Sequence, residues 1–277
     1  MGETKNRKII VAVAPVGREI EPPSINPLTP EDVAGQVIDC ANAGAALVHL
    51  HVRDSRGLQT ENISDYSRTL DLVRESSDII IQGSTGGLTT LTLEERCVAL
   101  NDPRTEVASL NMGSVNFGED VYINRLPDIR YWACRMAEAS VVPELEIFES
   151  GMLPTVRQLV DDGVLHPPFY FNFALGFHWA LSPDPKSLFF MTAMMTEQVP
   201  WGMIHDGMMD LSLIATGIGM GASLVRVGFE DSAYCAPGKT ATFNVELVDR
   251  LVSLIRQMGF ETATPVEARN ILGITQL

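Results

Sequence analysis

Eight β-rich segments alternate with amphipathic, helix-like segments along the 277 residues, and this alternation constrains the fold more than any other feature. Parallel strands need a crossover connection, usually a helix, between one strand and the next. Eight such units in a chain of this length predict an α/β fold, a (β/α)8 TIM barrel, as a single domain over residues 1–277. The predicted strands are Ile9–Ala14, Ala46–Arg53, Asp78–Thr85, Val107–Met112, Val141–Phe148, Phe169–Leu175, Trp201–His205 and Leu224–Phe229.

A doubly wound open sheet is the alternative fold for the same pattern. That fold usually carries a glycine-rich phosphate-binding turn after its first strand. Here the first strand runs into Pro15-Val16-Gly17-Arg18, which is not that fingerprint. The best-marked helix begins at Thr29-Pro30-Glu31-Asp32, with an N-cap hydroxyl, a first-turn proline and two acids, and Gly44 is expected to end it.

Charge and apolar content exclude several classes of partner. The chain has 35 acidic and 20 basic residues, a net charge of −15, which argues against nucleic acid or an anionic membrane as a general partner. The apolar run Ile9–Val16 is too short for a signal sequence or a membrane span. Cys40, Cys97 and Cys134 lie in helical patterns typical of reduced structural thiols, so we expect a cytoplasmic protein.

Two histidines lie on the second predicted strand. Side chains alternate along a strand, so His49, His51 and Arg53 face the same way. Two imidazoles at this spacing can bind one metal ion, and a hydrogen-bonded histidine pair is the alternative. Glu230 follows the eighth strand, which barrel closure brings next to the first and close to the second. The sequence therefore predicts a metal site of two histidines and a carboxylate, which suits zinc or non-haem iron.

Other polar residues follow the strands at their carboxyl ends, where barrel enzymes build their sites. The small and hydroxyl residues of Gln82–Gly87 either hold an anion or form an ordinary turn. Glu144 and Glu146 face one side of the fifth strand, and a buried carboxylate needs a partner such as a substrate group or Arg226. The fourth strand carries Ser109 and Asn111, and His178, Trp179, His205 and Asp206 follow the sixth and seventh strands. The last four fit a substrate pocket and a structural role equally well.

Five motifs in this order resemble the β-keto acid cleavage enzyme family, whose founding activity is 3-keto-5-aminohexanoate cleavage. The resemblance extends from the helix start Leu28–Glu31 to the closing segment Ala263–Arg269. The motifs are Val48-His49-Leu50-His51-Val52-Arg53-Asp54, Ser84-Thr85-Gly86-Gly87, Ser109-Leu110-Asn111, Pro143-Glu144-Leu145-Glu146 and Arg226-Val227-Gly228-Phe229-Glu230-Asp231.

The resemblance implies a zinc-dependent (β/α)8 barrel that converts a β-keto acid and acetyl-CoA into acetoacetate and a new acyl-CoA. It implies zinc on His49, His51 and Glu230, and an Arg226–Asp231 dyad that activates the substrate carboxylate. It also implies a homo-oligomer, a tetramer. The residues expected to contact the keto acid are Ser84, Gly86, Gly87, Ser109, Asn111 and Glu146, with Ser84 and Glu146 also taking part in catalysis.

Two departures from the family pattern concern the substrate. Members that recognise an amino-bearing substrate carry a glutamate soon after the first strand, where ungapped alignment places Gly17. Glu19 takes that role only with a shifted loop alignment. The usual Gly-Gly after the sixth strand is replaced by His178-Trp179. We therefore expect the general reaction, with a substituent different from that of 3-keto-5-aminohexanoate.

Two other functions fit the same residues. One is a CoA-independent, metal-dependent aldolase or hydrolase on the same barrel, which turnover of a keto acid without CoA would favour. The other is a non-catalytic protein that binds a small metabolite, which a metal-free protein without turnover would favour.

Overall fold

The structure, a computed structural model, describes residues 7–18, 20–21, 24–87 and 89–275. Its strands are β1 (Lys8–Val13), β2 (Leu47–Leu50), β3 (Ile80–Gly83), β4 (Val107–Asn111), β5 (Val115–Phe117), β6 (Asp120–Tyr122), β7 (Val142–Ile147), β8 (Tyr170–Leu175), β9 (Trp201–His205), β10 (Leu224–Val227), β11 (Tyr234–Ala236), β12 (Lys239–Thr240) and β13 (Glu261–Thr262). Eight parallel strands form the barrel in the order β1–β2–β3–β4–β7–β8–β9–β10, and β10 pairs with β1 to close it. The predicted (β/α)8 barrel and all eight of its strands are confirmed.

The helices are α1 (Pro30–Ala43), α2 (Ser64–Arg74), α3 (Leu126–Glu138), α4 (Met152–Asp161), α5 (Pro185–Met194), α6 (Ser212–Met220), α7 (Asn244–Gln257) and α8 (Pro265–Leu272). One connection differs from the expected alternation, because a 3-10 helix (Glu95–Asn101) follows β3. The predicted ends of α1 are confirmed: the Thr29 hydroxyl accepts from the Asp32 amide (3.2 Å), and Gly44 ends the helix at φ 115°.

The second strand is shorter than predicted. It ends at Leu50, so His51 and Arg53 lie beyond the continuous ladder. The chain turns back on itself there, and Arg53 forms an isolated antiparallel bridge with Gln59. His51 therefore belongs to the barrel mouth, whereas His49 belongs to the barrel wall.

The interior of the barrel has an apolar lower layer and a polar upper layer. The lower layer is closed by α8, whose Ala268 and Leu272 pack against the inward side chains of the strands. Two residues further along six of the eight strands, the same inward face carries polar side chains, because alternate residues share a face. The lower layer contains Ile10, Leu47, Ile80, Val107, Val142, Tyr170 and Leu224, and the upper layer His49, Gln82, Ser109, Glu144, Asn172 and Arg226.

Three small features were not predicted: the hairpin β5–β6 after β4, the hairpin β11–β12 after β10, and β13, which pairs with the start of β1. Arg269 of α8 donates through Nε to Glu106 (2.5 Å) and so fixes α8 beneath the barrel. None of the helices in the described part of the chain has the length and apolar run that a membrane span requires.

Candidate metal centre

His49, His51 and Glu230 meet at the carboxyl end of the barrel. Glu230 Oε1 lies 3.7 Å from His49 Nε2 and 3.6 Å from His51 Nε2. One ligand atom from each residue lies within 4.8 Å of the other two. The structure thus brings together the three residues that the sequence predicted as ligands.

The closing seam of the barrel, where β10 pairs with β1, positions Glu230. Its amide donates to the carbonyl of Ala14, just beyond β1 (3.1 Å). Gly228 makes this approach possible, because its φ is 141° and a Cβ there would overlap the Ala14 carbonyl. The carboxylate that follows β10 is therefore held next to the residues that follow β2.

The protonation states of the three residues suit a metal. Burial lowers the pKa of His49 to about 3 and also lowers the pKa of His51, so both imidazoles are neutral at pH 7. Burial acts to raise the pKa of Glu230, but its contacts with His49, with the Arg226 guanidinium and with His51 outweigh burial and hold that pKa well below its ordinary value. Neutral imidazoles and an ionised carboxylate are the forms that coordinate metal ions.

The donor spacing also fits zinc. Zinc bonds of about 2.0–2.2 Å place the ligand atoms of a tetrahedral site roughly 3.4 Å apart. The two Nε2–Oε1 distances are close to this value. Three protein donors leave a coordination position for substrate, as a catalytic zinc site needs. Non-haem iron accepts the same set of donor atoms.

The Nδ1 atom of each histidine contacts a glutamine side chain, and the sequence did not predict either glutamine as a site residue. His49 Nδ1 lies 2.9 Å from Gln82 Oε1, and an amide oxygen only accepts, so Nδ1 carries the proton and Nε2 is free for a metal. Gln59 contacts His51 Nδ1 through its side-chain amide (2.9 Å). A 180° rotation of that amide lets its oxygen accept the Nδ1 proton when Nε2 binds a metal. The strand register could have identified Gln82 as a neighbour of His49, because the two residues pair across β2 and β3.

Arg226 and Asp231 form a buried bidentate pair beside the centre. Arg226 Nε donates to Oδ2 of Asp231 (2.9 Å) and Nη2 to Oδ1 (2.5 Å). Nη2 also lies 3.4 Å from Glu230 Oε1. Within the described structure Nη1 has no hydrogen-bond partner, and Arg226 lines the cleft above the barrel. This guanidinium is placed to receive an anionic group.

Glu146 also lines the cleft. Burial, and then the neighbouring Glu144 carboxylate, raise the pKa of Glu146 to about 8, although Arg226 opposes the shift. At neutral pH its carboxyl is therefore protonated and able to donate a hydrogen bond or a proton.

The other predicted substrate residues divide into two groups. Ser84, Gly86 and Gly87 line the cleft. Ser109 and Asn111 are buried behind it: the Ser109 hydroxyl accepts from the Thr85 amide (3.3 Å), and Asn111 Oδ1 accepts from the Gly113 amide (3.1 Å). Ser109 thus holds the segment that follows the neighbouring strand β3, and Asn111 holds the turn that follows its own strand β4. Neither side chain forms the cleft wall. Glu19 lies outside the described residues.

A cleft of about 1120 Å³ opens above the centre. On its wall the Arg18 guanidinium lies over the rings of Phe117 (4.3 Å) and Phe177 (5.3 Å). Asp206 approaches Arg18 at 3.4 Å. Burial raises the pKa of Asp206 to about 6, and the Arg18 charge opposes this. The sequence did not predict either phenylalanine, because Phe117 belongs to the short β5–β6 hairpin and Phe177 to the irregular segment after β8.

His178 and Trp179 lie at the edge of the molecule. Their rings stack at 4.3 Å, Trp179 is 65% exposed, and the His178 carbonyl accepts from the Gly118 amide at the tip of the β5–β6 hairpin (3.1 Å). Neither side chain lines the cleft, and nor does His205. Asp206, in contrast, lies within ion-pair distance of the cleft residue Arg18.

Three comparisons place the chain among known proteins. A family model described as beta-keto acid cleavage enzyme matches residues 8–274. A 3-keto-5-aminohexanoate cleavage enzyme from Fusobacterium nucleatum subsp. nucleatum is 35% identical over 272 residues, covering 96% of this chain and 98% of that protein. A 3,5-dioxohexanoate:acetyl-CoA acetone transferase from Paraburkholderia graminis is 30% identical over 298 residues, with 96% of each chain covered. The solved complex of ObcA with oxaloacetate has the same fold, with TM-score 0.75 and 20% identity over 91% of this chain and 68% of that one.

Proposed function

This chain belongs to the beta-keto acid cleavage enzyme family, as its ordered motifs predicted, and we propose that it converts a β-keto acid and acetyl-CoA into acetoacetate and a new acyl-CoA. The bond between C2 and C3 of the keto acid breaks, and the released carboxymethyl group bonds to the acetyl carbonyl carbon. The bond between the acetyl carbon and the CoA sulfur breaks, and the remaining acyl group bonds to that sulfur. The observation that carries the proposal is the His49–His51–Glu230 cluster next to the buried Arg226–Asp231 pair.

We propose zinc as the metal held by His49, His51 and Glu230, since the spacing and charge of the donors fit it. When bound, zinc supplies a Lewis acid for the keto and carboxylate oxygens of the substrate. Arg226 is placed to bind the substrate carboxylate, because its Nη1 has no other partner in the described structure. Asp231 holds the guanidinium in the plane that this contact requires.

Two further groups act on the substrate in this proposal. Glu146 keeps its proton at neutral pH and donates a hydrogen bond to the ketone oxygen. Ser84, whose hydroxyl accepts from the Gly86 amide (3.1 Å), holds the small-residue turn open on the cleft wall. That turn lets the keto acid approach the metal without contact from a larger side chain.

Acetyl-CoA is the proposed co-substrate. Typical small-molecule pockets measure about 300–1,000 Å³, and a cleft of about 1120 Å³ exceeds what a short keto acid fills. Relatives such as the Paraburkholderia graminis protein carry acetyl-CoA in their names. The reduced-thiol pattern and the family resemblance further support a cytoplasmic homotetramer, which cell fractionation and sedimentation of the purified protein test.

We propose that the keto acid carries a substituent other than the amino group of 3-keto-5-aminohexanoate. A Cβ at Gly17 would lie 2.5 Å from the Phe229 carbonyl oxygen, so this backbone has no room for a glutamate there. The described residues that reach the cleft from this loop are the cation Arg18 and the apolar Ile20, and neither is an acid. Preferred turnover of 3-keto-5-aminohexanoate, despite these features, would overturn this part of the proposal.

The test is a panel of β-keto acids offered with and without acetyl-CoA, with acetoacetate measured and zinc quantified in the purified protein. We expect about one zinc per chain and acetoacetate formation only when both substrates are present. His49→Ala is expected to abolish both, whereas His166→Ala, an exposed histidine outside the site, leaves both unchanged. Cleavage of a keto acid without CoA would instead establish the aldolase or hydrolase function.

A further inference from the structure

A chain of hydrogen-bonding side chains runs from His49 into the barrel interior. Gln82 Oε1 accepts the proton of His49 Nδ1 (2.9 Å), and Gln82 Nε2 donates to the Tyr170 hydroxyl oxygen (3.3 Å). Tyr170 in turn forms a hydrogen bond with Glu144. All four side chains are at most 2% exposed. The proposed reaction uses only the first of them.

The direction of every bond in this chain is fixed. The Gln82 amide accepts with its oxygen and donates with its nitrogen, so the Tyr170 oxygen accepts from Gln82 and its proton goes to Glu144. Burial, and then the Glu144 carboxylate, hold the pKa of Tyr170 well above its ordinary value, so the hydroxyl keeps its proton. The chain therefore leads in one direction, from the His49 ring to the carboxylate.

Strand register builds the chain. His49 pairs with Gln82 across β2 and β3, and Glu144 pairs with Tyr170 across β7 and β8. Two strands of the barrel wall, β4 and β7, separate β3 from β8, so the Gln82–Tyr170 bond crosses the interior. Glu144 Oε1 has no hydrogen-bond partner in the described structure, and the carboxylate receives a hydrogen bond from Tyr170.

We propose that Gln82, Tyr170 and Glu144 are positioning residues that act as one unit on the metal ligand His49. The chain keeps the proton on Nδ1, directs the Nε2 lone pair toward the metal, and strengthens the ring as a donor, with Glu144 as the terminal charge. A partner that accepts from the second ring nitrogen orients a ligating histidine and raises its basicity. Successive hydrogen bonds also polarise one another in a medium of low dielectric. The inference rests on the proposed metal centre.

The two histidines differ in this respect. His51 is backed by Gln59, which lies on the turn beyond β2 and lines the open cleft. Its amide also approaches the Gly86 carbonyl (3.4 Å), and no buried charge stands behind it in the described contacts. His49 is therefore the ligand whose strength the barrel interior sets.

Zinc affinity of the full-length protein, first freed of metal by a chelator and then titrated with zinc, tests the proposal. Gln82→Leu is expected to weaken zinc binding roughly 10- to 100-fold. Tyr170→Phe and Glu144→Gln, which preserve shape, each weaken it roughly threefold to tenfold, and the double variant is no weaker than the more affected single variant. Tyr66→Phe removes another buried hydroxyl, bonded to Thr105, and leaves the affinity within about twofold of the wild type.

A second readout does not depend on the metal. In protein with labelled histidine, the Nδ1–H resonance of His49 is expected to move upfield in Tyr170→Phe and Glu144→Gln, because its acceptor is less polarised. Wild-type zinc affinity and an unchanged resonance in both variants would overturn the proposed role of the hydrogen-bond chain and leave the metal centre standing. Fully multiplicative losses in the double variant would also overturn it, since they indicate two independent packing effects. Failure of the wild type to bind zinc would instead overturn the metal centre.

Discussion

The strand-borne part of the site and its loop-borne rim are built by different means. His49, Gln82 and Arg226 project from barrel strands, are almost completely buried, and take their neighbours from strand register. Arg18, Phe177 and Asp206 follow the ends of strands and take their positions from ring contacts and a partly exposed ion pair. The first set contains a metal ligand, its hydrogen-bond partner and the arginine proposed to bind the substrate, and the second forms the wall that a substituent meets.

The difference indicates how the two parts respond to change. A buried charged side chain on a strand cannot move without leaving its partner unpaired, so the strand set is rigid and costly to alter. The rim tolerates substitution better, because its charged side chains Arg18 and Asp206 remain in contact with solvent. Barrel enzymes retain chemistry at strand ends and vary specificity through loops for the same reason.

The largest effect is expected at the buried ion pair. Arg226→Met leaves Asp231 without its bidentate partner in a buried position, so the free energy of unfolding should fall by about 3–5 kcal/mol. Urea denaturation of the metal-free protein measures it. The double variant Arg226→Met/Asp231→Asn should recover part of the loss, and a single variant as stable as wild type would show that the strand set is not the rigid part.

The closing seam gives the next largest effect. Gly228→Ala forces a residue with a side chain into φ 141° and against the Ala14 carbonyl, which should cost about 2–4 kcal/mol and weaken zinc binding by displacing Glu230. The matched control is Gly35→Ala in α1, where nothing lies within 4 Å of the added Cβ, and it should stabilise by about 0.5–1 kcal/mol. Thermal unfolding and a zinc titration compare the two, and equal behaviour would contradict the argument.

A pH effect should follow from Glu146. Its pKa is about 8 in the folded protein and near its ordinary value of 4.5 when unfolded, so between these values the folded state binds the extra proton. The stability it contributes is complete below pH 4.5 and is lost as pH rises toward 8, with a slope of up to about 1.4 kcal/mol per pH unit. Unfolding of metal-free protein across this range, with Glu146→Gln for comparison, measures the slope. Parallel curves for the two proteins would show that Glu146 does not titrate in this way.

The smallest effect on stability is expected at the rim. Arg18→Met removes a half-exposed cation from Phe117 and Asp206, which should change the free energy of unfolding by less than about 1 kcal/mol. The same variant should change the relative kcat/KM values across the keto-acid panel, because Arg18 lines the cleft. A loss of stability comparable to that of Arg226→Met would remove the distinction between the two regions.

The sequence predicted the parts of the molecule that periodicity controls. Strand alternation identified His49 and His51 as neighbours, and eight strands in a closed ring implied that Glu230 returns to them. The roles of side chains that depend on turn geometry were harder to predict. Ser109 and Asn111 have suitable chemistry and position in the chain, yet they accept hydrogen bonds from backbone amides in the segments that follow β3 and β4.

The rim and the second layer of the site needed three-dimensional information. Phe117 belongs to a hairpin that no alternating pattern marked, and its contact with Arg18 joins segments far apart in the chain. Gln82 and Tyr170 occupy inward positions that ordinarily carry apolar side chains, but their link depends on a reach across the barrel. The distance between two side chains across a closed barrel depends on the shape of the barrel. The local sequence pattern carries no information about that shape.

The seam between β1 and β10 also determines when, during synthesis and folding, the three proposed metal ligands come together. His49 and His51 leave the ribosome early, whereas Glu230 follows the last barrel strand and reaches them only through the Ala14 contact. A complete ligand set therefore does not exist in a nascent or partly folded chain, however much of the barrel wall has formed. Metal binding at this centre therefore reports the fraction of molecules in which β10 has already paired with β1.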